Sequence, residues 1–199
     1  MDSTKQVLTL AEQKEKFLNI CRTEIKREGL EELIAWLEKS DFFTAPASSK
    51  FHGDYTGGLC EHSLNVYDVA CHLSEYYLGE NGVPKESLTI AALFHDICKV
   101  HYYKRGYRNV KNDQGQWEKK EIWEIDERLP LGHGEKSCII LQWFIRLTVE
   151  ELIAIRWHMS GYDKAVMGGD FSMNKAQQIT PLCALIQSAD MIASNVVER

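Results

Sequence analysis

Residues 88–100 read LTIAALFHDICKV, hydrophobic on nearly every face and interrupted by the adjacent pair His95 and Asp96. A segment with that pattern belongs at the middle of a packed core, covered by other elements on all sides. An imidazole and a carboxylate buried there without partners cost several kcal/mol, and a divalent cation compensates both at once. A buried His–Asp pair that simply hydrogen-bonds is the ordinary alternative. The rest of the chain weighs against it. His62 lies upstream, His133 and His158 downstream and Asp190 near the end, a complete ligand set for one or two divalent ions.

Composition limits the function classes. With 199 residues, 44% hydrophobic and 26% charged, the chain reads as a globular domain with a sizeable core. Its formal net charge of −6 excludes a broad nucleic-acid surface. A nucleotide substrate, which needs only a few local cations, stays possible. Six cysteines, none in a CxxC pair, stand in apolar or helical stretches, as reduced thiols do. The opening MDSTKQVLTLAEQKEK turns polar too early for a signal peptide, and no apolar run reaches the roughly 20 residues of a membrane span. The expectation is a cytoplasmic protein with no membrane partner; its oligomeric state stays open.

The periodicity predicts an all-α bundle with one small inserted β-hairpin. Residues 1–50 read as a helical extension packed on the core. There Phe17, Ile20, Cys21 and Ile25 recur at helical spacing, Gly29 breaks the pattern, and Leu30, Leu33, Ile34 and Leu37 resume it. The main domain, 51–199, begins inside a loop over 40–58. Leu59, Val66, Val69, Leu73 and Tyr76 mark a helix over 59–78, ended by Gly79, and the next spans about 86–99. Tyr107, Val110, Trp117, Ile122, Trp123 and Ile125, with a turn at Asn112–Gly115, predict a hairpin over about 102–125. Helices follow at about 134–146, at 149–158, where Thr148 and Glu151 form a capping box, and at 181–195 around Asp190.

On a helix, neighbouring residues point about 100° apart, so His95 and Asp96 both lean toward an ion beside it. His62 shares a stripe with Leu59 and Val66, and Asp190 is a lone carboxylate in LIQSADMIAS. His62, His95, Asp96 and Asp190 make a mixed site that suits Mn²⁺, Fe²⁺, Ni²⁺, Co²⁺ or Zn²⁺ and holds Mg²⁺ less well. His133 and His158 complete a second site, with Asp96 bridging both ions. The alternative for Asp190 is a cap or a pair with Arg156. His72 and His101 are assigned no role.

The order His … His-Asp … Asp, carried by His62, His95-Asp96 and Asp190, resembles the HD-domain superfamily of metal-dependent phosphohydrolases. FHGDYTGGLCEHSLNV resembles the entry to its first ligand helix. LFHDICKV resembles its His-Asp helix with a lysine three residues on, here Lys99. The resemblance covers about residues 52–192. It implies a divalent-metal site and hydrolysis of a phosphoester or phosphodiester bond in a nucleotide or short oligonucleotide. His133 and His158 stand where binuclear members carry extra histidines. The chain lacks the Gly-Tyr-Pro motif of the cyclic-di-nucleotide phosphodiesterases and the oligonucleotide-binding barrel of the related exoribonucleases, so neither activity carries over.

Two ions about 3.5–4 Å apart supply a bridging hydroxide, Lewis acidity and a template for in-line displacement. Asp96 is then catalytic as well as a ligand, and Lys99, one turn on, binds a phosphate. The alternative for Lys99 is a solvated lysine at a helix end. His52 is a candidate contact to the leaving group. The hairpin sets Lys104, Arg105, Arg108 and Lys111 among Tyr102, Tyr103 and Tyr107, a surface suited to stacking a base and steering phosphates, with Arg105 the candidate contact. A merely solvated strand is the alternative. Two other classes stay open: a di-iron oxygenase of the same fold, and a non-catalytic metal- or nucleotide-binding module.

Overall fold

The computed structural model of the chain describes residues 8–79 and 82–199; residues 1–7, where the expected N-terminal extension begins, lie outside the described residues. Thr9 opens helix α1 (Leu10–Glu24). Its hydroxyl accepts from the Glu12 amide and the Glu12 carboxylate accepts from the Thr9 amide, so two amides at the helix start are paired. Phe17, Leu18 and Cys21 of α1 are buried. Gly29, at φ 87°, then turns the chain into α2 (Leu30–Lys39). A Cβ there would run into the Phe144 carbonyl, so both conformation and space demand glycine.

The chain continues through α3 (Gly58–Leu78) to α4 (Lys85–Phe94), where every residue from Ser87 to Phe94 is buried. Helices α1, α3, α6 (Val149–Arg156) and α9 (Pro181–Ile192) pack around α4. Phe17 of α1 stacks at 5.7 Å on Phe94, and at 5.0 Å and 5.7 Å on Phe42 and Phe43. Helix α5 (His133–Gln142) lies against α6, and the short α7 (Lys164–Met167) and α8 (Ser172–Ile179) fill the path to α9. Strands β1 (Tyr103–Lys111) and β2 (Trp117–Ile125) pair antiparallel, Tyr103 opposite Ile125 and Lys111 opposite Trp117. The Asn112 side chain accepts from the Gln114 and Gln116 amides and fixes the turn. This fold is helical with a single hairpin among the described residues, as the periodicity predicts.

Several boundaries differ from the expectation. The helix predicted to run to 99 stops at Phe94. Asp96 leaves the helical region at φ −106°, ψ 18°, and Ile97–Lys99 form a tight turn. The Cys98 amide there is satisfied by Ser137 Oγ of α5 at 3.3 Å, a partner that no local pattern reveals. Helices predicted to end at 146 and 158 end at Gln142 and Arg156, and the last one passes at Ile192 into a π-helical turn, Ala193–Val197. Tyr76, expected on the inner stripe of α3, is 82% exposed and packs edge-on against Tyr77.

The segment between α1 and α2 is tied to α6 through one buried pair. Glu151 is fully buried and accepts from both Arg27 terminal nitrogens (2.6 Å and 3.1 Å), from the Ser87 hydroxyl and from the Thr148 amide. Removing Arg27 leaves that carboxylate without its counter-charge in the interior. Arg27→Ala is therefore expected to lower the unfolding free energy by about 3–5 kcal/mol in urea denaturation. Lys14→Ala, which loses a surface pair with Glu38 and a contact over the Phe43 ring at 5.3 Å, is expected to change it by less, about 1 kcal/mol.

Candidate metal centre

Five helices deliver side chains to one point. His62 lies on α3, His95 closes α4 with Asp96 next to it, His133 opens α5, His158 stands just beyond α6, and Asp190 is on α9. His62, His95, Asp96 and His158 are buried. The break at Asp96 turns the carboxylate into the same space as the His95 ring. Gly134 does comparable work at the other side: a Cβ there would meet the Arg156 carbonyl, so glycine lets α5 approach the end of α6.

The two oxygens of Asp96 face two different ligand sets. Oδ2 lies 3.4 Å from His95 Nε2 and 3.7 Å from His62 Nε2. His62 Nε2 is itself 3.2 Å from His95 Nε2 and 3.3 Å from Asp190 Oδ1. Oδ1 lies 3.5 Å from His158 Nε2. A carboxylate oxygen of Asp96 also groups with ligand atoms of Cys98 and His133, all within 4.8 Å of one another. The structure thus brings together all six residues that the sequence marks as metal ligands.

Hydrogen bonds on the outer nitrogens fix how the rings face inward. His95 Nδ1 bonds the Ala92 carbonyl at 2.9 Å, His158 Nδ1 bonds the Ile155 carbonyl at 2.7 Å, and His62 Nδ1 bonds Glu198 at 3.0 Å. Each bond leaves Nε2 as the inward atom. His158 Nε2 is buried with no hydrogen-bond partner. Acceptor lone pairs facing one another at 3.2–3.7 Å require a proton or a cation between them, and an imidazole and carboxylate set fits a borderline divalent ion. Burial works against a charge on His62, but Asp190 and Glu198 outweigh it and lift the ring to about 10. Burial likewise opposes ionisation of Asp96, yet Lys99, His95 and His158 hold its carboxyl well below the usual range. Burial lowers His133 and keeps that ring neutral near pH 7.

The other expected residues are placed as follows. Lys99 is buried with its ammonium 2.6 Å from Asp96 Oδ2, which corrects the solvated alternative. The His52 ring lies 4.9 Å from the His62 ring. Arg105 stands on the hairpin, 3.7 Å over the Trp123 ring and 3.0 Å from both Glu121 and Thr56, just ahead of α3. Arg156 pairs with Glu135 and Asp163, while Asp190 engages His62 and Ser194, so the Arg156–Asp190 alternative is wrong. His72 bonds its own helix at the Asp68 carbonyl, and His101 pairs with Asp41. Two residues at the site escape sequence reasoning. Glu198 sits in the polar NVVER end with no periodic signal, and Cys98 reads as one more thiol in an apolar context.

A family model described as the HD domain matches residues 59–195. The chain belongs to the HD-domain family. The match spans His62 through Asp190, and Glu198 lies beyond it. A curated relative, the dihydroneopterin 2′,3′-cyclic phosphate phosphodiesterase of Methanocaldococcus jannaschii, is 29% identical over 84 residues, 41% of this chain. The HD-domain chain aligns with only 31% of that relative's length. No solved structure matches it. Among the described residues no helix is long and apolar enough to cross a membrane, and all six cysteines are free.

Glu198 accepts from Asn65 as well as engaging His62, and so holds the ring from outside the ligand cluster. Glu198→Ala is expected to weaken Mn²⁺ binding roughly 10–100-fold in calorimetric titration while leaving the circular dichroism spectrum unchanged.

Proposed function

We propose that this HD domain is a metal-dependent phosphohydrolase that cleaves a phosphoester or phosphodiester bond in a nucleotide or short oligonucleotide. The observation that carries the proposal is the division of Asp96, with Oδ2 toward His62 and His95 and Oδ1 toward His158. A carboxylate so placed suits the bridge of a two-metal site. His62, His95 and Asp190 would hold the first ion, His133 and His158 the second. When bound, such ions supply an activated water and neutralise phosphoryl oxygens.

The chain's own residues do the rest. Lys99 keeps Asp96 ionised while the site is at rest. With a cation held beside that carboxylate, the same ammonium would be the group to meet a phosphoryl oxygen. The His52 ring, lowered chiefly by burial and stacked beside His62, is a neutral group for the leaving-group side. Tyr102, whose ring lies 5.6 Å from His133, and the Arg105–Trp123 stack offer flat surfaces to a heterocycle. The relative's name specifies a cyclic phosphodiester attached to a pterin, which supports a diester substrate carrying a ring system.

Elemental analysis of the metal-loaded protein, paired with hydrolysis of bis-p-nitrophenyl phosphate under added Mn²⁺, tests this. Two ions per chain are expected, falling toward one in His133→Ala and in His158→Ala, with diesterase activity in the wild type. Asp96→Ala is expected to lower kcat on the order of 10³-fold or more. One ion in the wild type, unchanged by either histidine substitution, would move the assignment to a mononuclear monophosphatase. Two ions with no turnover of any phosphate ester would leave a binding module.

A further inference from the structure

The second ligand set contains a thiol. Cys98 Sγ lies 3.3 Å from His133 Nδ1 and 4.0 Å from Asp96 Oδ1, in a residue that is 1% exposed. His158 Nε2 approaches the same Asp96 oxygen at 3.5 Å, buried and without a hydrogen-bond partner. In a tetrahedral site with bonds of about 2.0–2.3 Å, neighbouring ligand atoms stand about 3.3–3.8 Å apart. Gaps of 3.3 Å and 3.5 Å match that spacing, and 4.0 Å lies just beyond it.

We infer that Cys98 is a ligand of the second metal ion, completing a four-donor site with Asp96, His133 and His158. The inference rests on the binuclear centre proposed above. The backbone supports it. Cys98 sits in the tight turn after the break of α4, and its amide is held by Ser137 of α5, the helix that begins with His133. One rigid element therefore fixes both donors. Cys21, Cys60, Cys138 and Cys183 are packed into apolar clusters instead. As the metal–sulfur bond forms, the thiol proton passes to solvent, and neither partner changes oxidation state. A thiolate biases the second position toward Zn²⁺, Co²⁺ or Fe²⁺ and against Mg²⁺.

Anaerobic Co²⁺ titration of the chelator-stripped protein tests the assignment. The second equivalent is expected to bring a sulfur-to-cobalt charge-transfer band in the near ultraviolet. Cys98→Ser is expected to lack the band and to bind a second Zn²⁺ at least roughly tenfold more weakly, with Mn²⁺ affinity little changed. Two cobalt ions without the band in the wild type would overturn Cys98 as a ligand and leave the binuclear centre standing. A single cobalt ion without the band would remove the binuclear centre and the inference with it. X-ray absorption of the zinc-loaded wild type needs no variant. A sulfur shell at about 2.3 Å is expected, and a shell of nitrogen and oxygen alone overturns the proposal.

Discussion

An ionised carboxylate at the inner end of the helix buried from Ser87 to Phe94 is the constraint on which this structure turns. Asp96 is 3% exposed, and an isolated charge at such depth is too costly to persist. Five helices converge there with four imidazoles, a lysine and a second carboxylate. The break of α4, the glycine that lets α5 meet α6 and the placing of Asp190 on α9 all bring groups to that one carboxylate.

A second buried carboxylate, Glu151, stands in contrast to Asp96. Glu151 is met by a guanidinium, a hydroxyl and an amide, and its partners are all donors. Such a network rigidifies a fold and offers nothing to a ligand. The groups around Asp96 include imidazole nitrogens turned toward it, one of them without a hydrogen-bond partner. Buried ligand atoms so arranged mark a candidate place for a cation. The HD-domain match over residues 59–195 takes in His62, His95, Asp96, His133, His158 and Asp190.

Much of this was legible in the sequence, because the informative residues violate their local pattern. His95, Asp96 and Asp190 are polar residues in apolar stretches of sequence, so they stand out before any fold is known. The hairpin was legible through alternation and its Asn-Asp-Gln-Gly turn. The end of α4 was not, since LFHDICKV continues a helical pattern and the partner that satisfies Cys98 is thirty-nine positions away. Glu198 was silent for the same reason: its meaning comes from His62, 136 residues earlier. The stretch from 159 to 180 carries only short helices, and α8 buries a single alanine, too little apolar pattern to announce itself. Tyr76 misled because aromatic residues at helical spacing are counted as core whether or not anything covers them.

The hairpin leaves the bundle through a narrow neck. The Asp126 amide donates to the Tyr102 carbonyl at 2.8 Å, so both strands depart side by side between the Lys99 turn and the helix of His133. A closed neck uncouples what lies beyond it from the helices on either side. Insertions or deletions within the arm leave the clustered histidines and aspartates in register, whereas the same change a few residues outside it would displace one of them. Lineages that share this centre are therefore free to diversify the arm, and selection can retune what the protein meets there while its chemistry is inherited unchanged.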